Sequence, residues 1–306
     1  MVAIKIEVVY LSWKLRLERK NTFANFSSRR EDSYVSILGV PLDISNSHAP
    51  GTMYAPEQIR RIAESLEWYS FISERDLTEY GLYDEGDLVL YPGELTRNIE
   101  LISQALSEMR SENRLPIMLG GEHTITLGAQ PILRSESLLI VFDAHLDMRD
   151  EYLGSHLNHA TVMRRIWEGG RSLSMAFIGT RAATPEEIQF AKKEGIEFFT
   201  SRMIWKYGSA EVTKKILKMA EEAKNVYISF DMDSVDPGFA PGVGTPEPLG
   251  LDPHTAVQML YSFVGEKLVG MDIVEVNPLR DCGEATTALA ARMIIETAIK
   301  YGISRK

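Results

Sequence analysis

Four of the six histidines fall between positions 123 and 159, among aspartates, in a chain of 306 residues. Three segments carry the groups of interest. The first is Leu119-Gly120-Gly121-Glu122-His123-Thr124, where paired glycines after an apolar run allow a tight turn with close backbone approach. The second is Val141-Phe142-Asp143-Ala144-His145-Leu146-Asp147, three ionisable residues at spacing two after an apolar run. A strand continuing through them would put all three on one face. Burying three such groups requires a counter-charge, and a divalent cation supplies one. The third is Ser229-Phe230-Asp231-Met232-Asp233-Ser234-Val235-Asp236-Pro237, which superficially resembles a calcium loop. Val235 stands at the fifth position of that loop, and no glutamate follows at the twelfth, so the calcium-loop reading fails. Together the segments offer His123, Asp143, His145, Asp147, Asp231 and Asp233. Four carboxylates and two imidazoles exceed the needs of one structural ion and suit two. Oxygen-rich ligation without thiolate favours Mn²⁺ over Mg²⁺, Co²⁺ or Zn²⁺. Two such ions can share and deprotonate one water and polarise the group it attacks, so the chemistry indicated is metal-assisted hydrolysis.

The elements that must position these groups alternate along the chain. Strands are predicted at 34–40, 116–120, 138–142, 175–179, 197–200, 226–230 and 268–276, as nearly continuous apolar runs of the kind buried on both faces of a parallel sheet. Helices are predicted at 55–64, 96–110, 184–194, 210–224, 253–263 and 284–301. The second has Ile99, Ile102, Leu106 and Met109 three or four apart, and the third opens with Thr-Pro-Glu-Glu. Alternation of this kind predicts an α/β fold: three α/β/α layers around a mainly parallel central sheet. In open sheets of this class, ligands sit at the carboxyl ends of the strands, where all three segments fall. No linker or repeat divides the chain. A single domain over 1–306 is expected, with a core over 31–306. Residues 1–30, rich in Lys5, Lys14, Arg16, Arg19, Lys20, Arg29 and Arg30, form an edge element or an arm packing on a neighbouring subunit.

Composition narrows the partners. The formal net charge is −10, with 44% apolar and 25% charged residues, which argues against nucleic acid as the main partner. A single cysteine, Cys282, excludes an intrachain disulfide and fits a reducing compartment. No apolar run approaches the ~20 residues of a membrane span, and Lys5 and Glu7 interrupt the first ten residues, so neither membrane insertion nor a signal peptide is expected. A cytoplasmic protein is the expectation.

The three segments, in this order and spacing, resemble those of the ureohydrolase family of arginases and agmatinases, and the resemblance runs from about residue 34 to 301. It implies that His123 and Asp147 ligate one Mn²⁺, His145 and Asp233 a second, and that Asp143 and Asp231 bridge both. It implies a histidine just downstream as proton carrier. His159 in Asn158-His159-Ala160-Thr161 matches that place, with His156 the competing choice. It also implies a glutamate that grips the guanidinium after a late strand, here Glu275 in Asp272-Ile273-Val274-Glu275-Val276-Asn277-Pro278. Glu122 stands where many relatives have aspartate. Family members commonly form trimers or hexamers, so a homo-oligomer is expected.

Within the family, the stretch Met148-Arg149-Asp150-Glu151-Tyr152-Leu153-Gly154 lacks the asparagine- and serine-rich pattern by which arginases read an α-carboxylate. Asp150 and Glu151 are candidate partners for a distal ammonium. Gly244-Thr245-Pro246-Glu247-Pro248, and Gly39-Val40-Pro41-Leu42-Asp43 with Pro50-Gly51, are more similar to agmatinases. The resemblance therefore implies hydrolysis of agmatine to putrescine and urea, a step of polyamine synthesis, by hydroxide shared between two Mn²⁺ ions. Asp147 would pass its proton to the leaving amine, and His159 would exchange protons with solvent. Arginase, guanidinobutyrase and formimidoylglutamase activities are the alternatives within the family. Outside it stand a single-zinc deacetylase of the same broad fold and a non-catalytic relative that binds polyamines or partners.

Overall fold

The computed structural model describes residues 12–18, 21–25, 28–133, 136–170 and 173–306. Its strands are β1 (Leu17–Glu18), β2 (Val35–Val40), β3 (Tyr69–Ser70), β4 (Arg75–Asp76), β5 (Leu82–Leu88), β6 (Leu115–Gly120), β7 (Ser137–Phe142), β8 (Ser174–Thr180), β9 (Glu197–Thr200), β10 (Asn225–Asp231) and β11 (Leu268–Val274). Its helices are α1 (Ala55–Ala63), α2 (Leu95–Ser111), α3 (Val162–Gly169), α4 (Pro185–Glu194), α5 (Ser201–Tyr207), α6 (Ser209–Glu222), α7 (Pro253–Phe263) and α8 (Ala285–Arg305). Nine strands form one sheet in the order β1-β5-β2-β6-β11-β10-β7-β8-β9, and β3 pairs with β4 in a small hairpin. Every pairing in the large sheet is parallel except β1 with β5.

Two apolar cores, one on each face, follow from strand alternation. Leu138, Ile140 and Phe142 of β7 join a core with Ile59 of α1, Ile216 of α6, Met259 of α7 and Ile294 of α8. Leu139 and Val141 join the other, with Ile102 and Leu106 of α2, Met163 and Ile166 of α3 and Ala191 of α4. That is the expected three-layer arrangement. Burial on both faces is why the strands read as unbroken apolar runs.

The chain leaves a gap between β6 and β7 that it fills last. After β6 it skips to β7 and builds outward through β8 and β9. It then returns to lay β10 beside β7 and β11 between β10 and β6. The carboxyl ends of β6, β7, β10 and β11 therefore lie side by side at the centre of the sheet.

Three helix starts are fixed locally. Thr184 Oγ1 accepts from Glu187 N at 3.3 Å and Glu187 Oε2 accepts from Thr184 N at 2.9 Å, a capping box for α4. Asp252 Oδ1 caps α7 by accepting from Thr255 N at 2.9 Å, ahead of Pro253. Pro56 in the first turn of α1 is the predicted start.

Several elements differ from expectation. β11 ends at Val274, two residues early, because Glu275 takes a left-handed φ of +60° that no strand continues through. Helices α3 and α5 were not expected, nor was β5, whose sequence Leu-Tyr-Asp-Glu-Gly-Asp-Leu carries three acids. Those acids are buried and paired. Asp84 accepts from Arg60 Nε at 2.7 Å and Nη2 at 2.9 Å and from Phe23 N at 2.8 Å, while Asp87 accepts from Arg60 Nη1. Glu85 accepts from Arg30 Nε at 2.9 Å. In the N-terminal segment, residues 17–18 form the antiparallel edge strand, whereas Lys5, Arg19 and Lys20 lie outside the described residues.

Arg60 is buried by α1 with two carboxylates on β5. Arg60→Met should therefore leave the Asp84 carboxylate buried without the guanidinium that it faces and cost about 3–5 kcal/mol, measured by chemical denaturation. A loss within about 0.5 kcal/mol, the range of an unremarkable surface change, would show that this pair does not hold the sheet edge.

Candidate active site

Four strand ends deliver the predicted residues, and each is shaped by a local constraint. After β6, Gly121 N donates to Val40 O at 3.1 Å, Glu122 N donates to Leu42 O at 2.7 Å, and Gly121 O accepts from Glu275 N at 2.9 Å. A Cβ on Gly121 would fall 1.9 Å from Leu42 O, so only glycine lets these three loops meet. The chain then turns into a short 3₁₀ helix, His123–Ala129, with His123 fully buried.

After β7, the strand stops at Phe142, so the shared face expected from continued strand geometry does not form. Instead Asp143 Oδ1 accepts from His145 N at 2.6 Å, and Asp147 sits at φ +49°. The turn still brings the three side chains together. After β10, Asp231 Oδ1 accepts from Asp233 N at 2.8 Å in a second turn of the same kind. After β11, Glu275 Oε1 accepts from His123 N at 2.7 Å.

The six candidate ligands converge. His123 Nδ1 lies 3.0 Å from Asp147 Oδ2, 3.3 Å from Asp143 Oδ2 and 3.4 Å from Asp231 Oδ2. His145 Nδ1 lies 3.0 Å from Asp233 Oδ2 and 3.5 Å from Asp143 Oδ1. Two groups could each hold a metal ion, His123/Asp143/Asp147 and Asp143/His145/Asp233, with ligand atoms within 4.8 Å of one another in each group. Asp143 belongs to both.

The residues fit a cation on three grounds. Asp143 Oδ2 is buried with no hydrogen-bond partner. The acids oppose one another: burial raises the Asp231 pKa well above the carboxylate range, and Asp233, Asp143 and Glu275 push it further. Burial and then Asp143 raise Asp147. Burial alone would lower His145, but Asp233 and Asp143 win and push it up to about 12. A site that forces protons onto imidazoles in this way is one that positive ions stabilise.

The third ground is the His123 tautomer. Ser229 Oγ donates its one hydrogen to Asp272 Oδ1 at 2.6 Å, so it must accept from His123 Nε2 at 2.9 Å. Tyr227 and Thr126 donate to Asp272 Oδ2 at 2.8 and 3.0 Å. With one proton held on Nε2, His123 would offer Nδ1 to a cation seated among Asp143, Asp147 and Asp231, in place of the second ring proton that those acids favour. An orienting hydrogen bond on the far nitrogen is what a metal-ligating imidazole needs.

A cavity of about 250 Å³ opens beside this cluster, lined by His145, Asp147, His159, Arg149, Tyr152 and Glu247 among others. A more open groove of about 730 Å³ between α6 and α7 is lined by Lys214, Lys215 and Lys218 and contains none of these groups. His159 faces the cavity, with Nε2 3.4 Å from Ser47 Oγ and its ring edge-on to Tyr152. His156 does not line it. It is exposed, its Nδ1 2.8 Å from Asp150 O.

Asp150, the carboxylate expected to bind substrate, is not among the residues lining this cavity. It is exposed outside the cavity, and its carboxylate pairs with Arg165 Nη2 at 2.7 Å and Arg164 Nε at 3.5 Å. Burial raises the Glu275 pKa well above normal despite the His123 amide. Its Oε2 lies on the side of Gly244, and Glu275 is not among the residues lining the cavity.

Glu247 is the rim carboxylate to which residue-level reading gave no role. Its Oε1 lies 3.9 Å from His145 Nε2. Arg181, just after β8, holds its loop. Its guanidinium donates to the carbonyls of Asp233 at 2.6 Å, Ser234 at 3.2 Å, Glu247 at 2.7 Å, Pro248 at 3.0 Å and Gly179 at 3.0 Å. The rim and the ligand loop are thereby one unit. The turn sequence Gly-Thr-Pro-Glu-Pro was the available signal.

Comparison with known proteins agrees with this geometry. A family model described as the arginase family matches residues 33–299. An agmatinase of Pyrococcus horikoshii is 37% identical over 86% of this chain and 90% of its own length. A guanidinobutyrase of Pseudomonas aeruginosa is 32% identical over 85% of this chain and 84% of its own. The crystal structure of agmatine ureohydrolase of Thermoplasma volcanium superposes with a TM-score of 0.85 at 32% identity, covering 93% of this chain and 95% of that one. No helix among the described residues is long and apolar enough to cross a membrane. The chain belongs to the arginase family and is a hydrolase.

Proposed function

We propose that the protein hydrolyses agmatine to putrescine and urea with two Mn²⁺ ions bound per chain. His123 and Asp147 would hold one ion, His145 and Asp233 the other, and Asp143 and Asp231 would bridge them. The observation that carries this reading is the convergence of these six ligands beside Glu275, which is anchored to the His123 amide at 2.7 Å. Bound divalent ions supply Lewis acidity and lower the pKa of a water to near neutrality.

The remaining steps belong to the chain's own residues. Glu275 Oε1 is taken by His123 N, so Oε2 is the oxygen that would receive the guanidinium N–H groups. Asp147 Oδ2 faces His123, and Oδ1 is the oxygen that accepts a proton from the attacking water. The water oxygen bonds to the guanidinium carbon, and the carbon–nitrogen bond to the amine breaks. The water's protons end on the leaving nitrogen, one of them through Asp147. His159, over the same cavity, exchanges protons with solvent.

Glu247 replaces Asp150 as the partner of the distal ammonium, because it lines the cavity and its carboxylate is partly open to solvent. A second reading, 4-guanidinobutyrate, is favoured by one observation. Arg149 also lines the cavity, stacked 4.7 Å over Tyr152, where it would meet a carboxylate tail.

The deciding experiment loads purified protein with Mn²⁺. It measures urea release from agmatine, arginine and 4-guanidinobutyrate, and formamide from formiminoglutamate. Agmatine is expected to be turned over fastest, and a faster rate with any other compound overturns the assignment. Glu247→Gln should raise KM for agmatine about tenfold, some 1.4 kcal/mol of lost charge pairing, and leave 4-guanidinobutyrate unaffected. His123→Ala should lose most of the bound metal, counted by atomic emission. Full metal content in that variant would remove the two-ion arrangement.

A further inference from the structure

Glu122 is wholly buried next to a candidate metal ligand, and its carboxylate is bonded to the 44–45 loop and Thr124. Its carboxylate is saturated by four donors. Oε2 accepts from Ile44 N and Ser45 N, both at 2.7 Å. Oε1 accepts from Ser45 Oγ and Thr124 Oγ1, both at 2.7 Å. Ser45 in turn reaches His159. The His159 backbone N donates to Ser45 Oγ at 3.1 Å, and His159 Nδ1 lies 3.1 Å from the same oxygen.

A serine hydroxyl has one hydrogen and two lone pairs. The hydrogen goes to the charged acceptor at 2.7 Å, the shorter and stronger bond. Both lone pairs then accept from His159, one from the backbone N–H and one from Nδ1–H. No other assignment satisfies all three bonds. With the proton fixed on Nδ1, the lone pair of neutral His159 is on Nε2, the nitrogen near Ser47 at 3.4 Å.

We propose that Ser45 and Glu122 are positioning residues that hold His159 in the Nδ1–H tautomer, so that Nε2 is the atom that takes and returns protons over the cavity. The proposal rests on the reading of His159 as proton carrier. The loop carrying Ser45 is itself tied to the β6 turn through Leu42 O and Glu122 N at 2.7 Å, so the tautomer is set by the same turn that places His123.

The test is nitrogen NMR on histidine-labelled full-length protein loaded with diamagnetic Zn²⁺, with the His159 signals identified by their loss in His159→Gln. The wild type should show a protonated Nδ1 and a pyridine-like Nε2 for His159. Ser45→Ala should shift His159 toward the Nε2–H form that free imidazole side chains prefer, at unchanged metal content. A proton on Nε2 in the wild type, or an unchanged tautomer in Ser45→Ala, overturns the proposal. In turnover, Ser45→Ala should lower kcat about tenfold with KM within about twofold, and Ser45→Thr should restore it. A raised KM with unchanged kcat would instead place Ser45 in substrate binding and also overturn it. The NMR result needs no substrate, so it stands or falls separately from the agmatine assignment.

Discussion

Mutual repulsion among Asp143, Asp147, Asp231 and Asp233 is the constraint on which the rest of this structure depends. All four are buried at the centre of a sheet, where a carboxylate is costly unless positive charge or hydrogen bonds meet it. The backbone meets part of the cost, through amides such as Ala144 N to Asp233 Oδ1 at 3.1 Å and Asp233 N to Asp231 Oδ1 at 2.8 Å. The imidazoles meet another part. What is left, including Asp143 Oδ2 with no hydrogen-bond partner, is charge that a cation among these groups would neutralise. Ions filling the space between these acids would therefore stabilise the fold as well as the site.

The same constraint accounts for the strained backbone nearby. Asp147 at φ +49° and Glu275 at φ +60° adopt left-handed conformations that side-chain-bearing residues seldom take. Each ends a β-like direction so that a carboxylate can turn inward. Such conformations persist where surrounding contacts over-determine them. Here they are held by Met163 N to Asp147 O at 3.1 Å and by Glu275 N to Gly121 O at 2.9 Å.

The convergence of these acids and imidazoles was legible in the sequence because they are adjacent to buried strands. An apolar run followed by acids two apart announces both the strand and what lies at its end. The parallel sheet and its flanking helices followed from the same runs. Less legible were features that depend on contacts between distant segments. β5 was hidden because its acids look solvated until Arg60 and Arg30 arrive from elsewhere. Asp150 looked like a substrate partner because its competitors, Arg164 and Arg165, sit on a helix that periodicity did not reveal. Glu247 was in view as part of a turn, but its place on the cavity rim depends on Arg181, 66 residues earlier.

The two histidines at the heart of the site are governed by one device used in opposite senses. At His123, the pair Ser229–Asp272 accepts from Nε2 and leaves Nδ1 free; at His159, the pair Ser45–Glu122 accepts from Nδ1 and leaves Nε2 free. A carboxylate behind a serine commits the hydroxyl hydrogen, and the committed hydroxyl commits the ring. The ring's remaining lone pair then points to the ligand cluster in one case and to the cavity in the other. Neither arrangement depends on the imidazole's own preference, which favours one tautomer in water regardless of task. Glu122 serves two neighbours at once. Its side chain reaches the Ile44 and Ser45 amides while its backbone stays bonded to Leu42, so one residue can brace the turn before His123 on one side and orient His159 on the other.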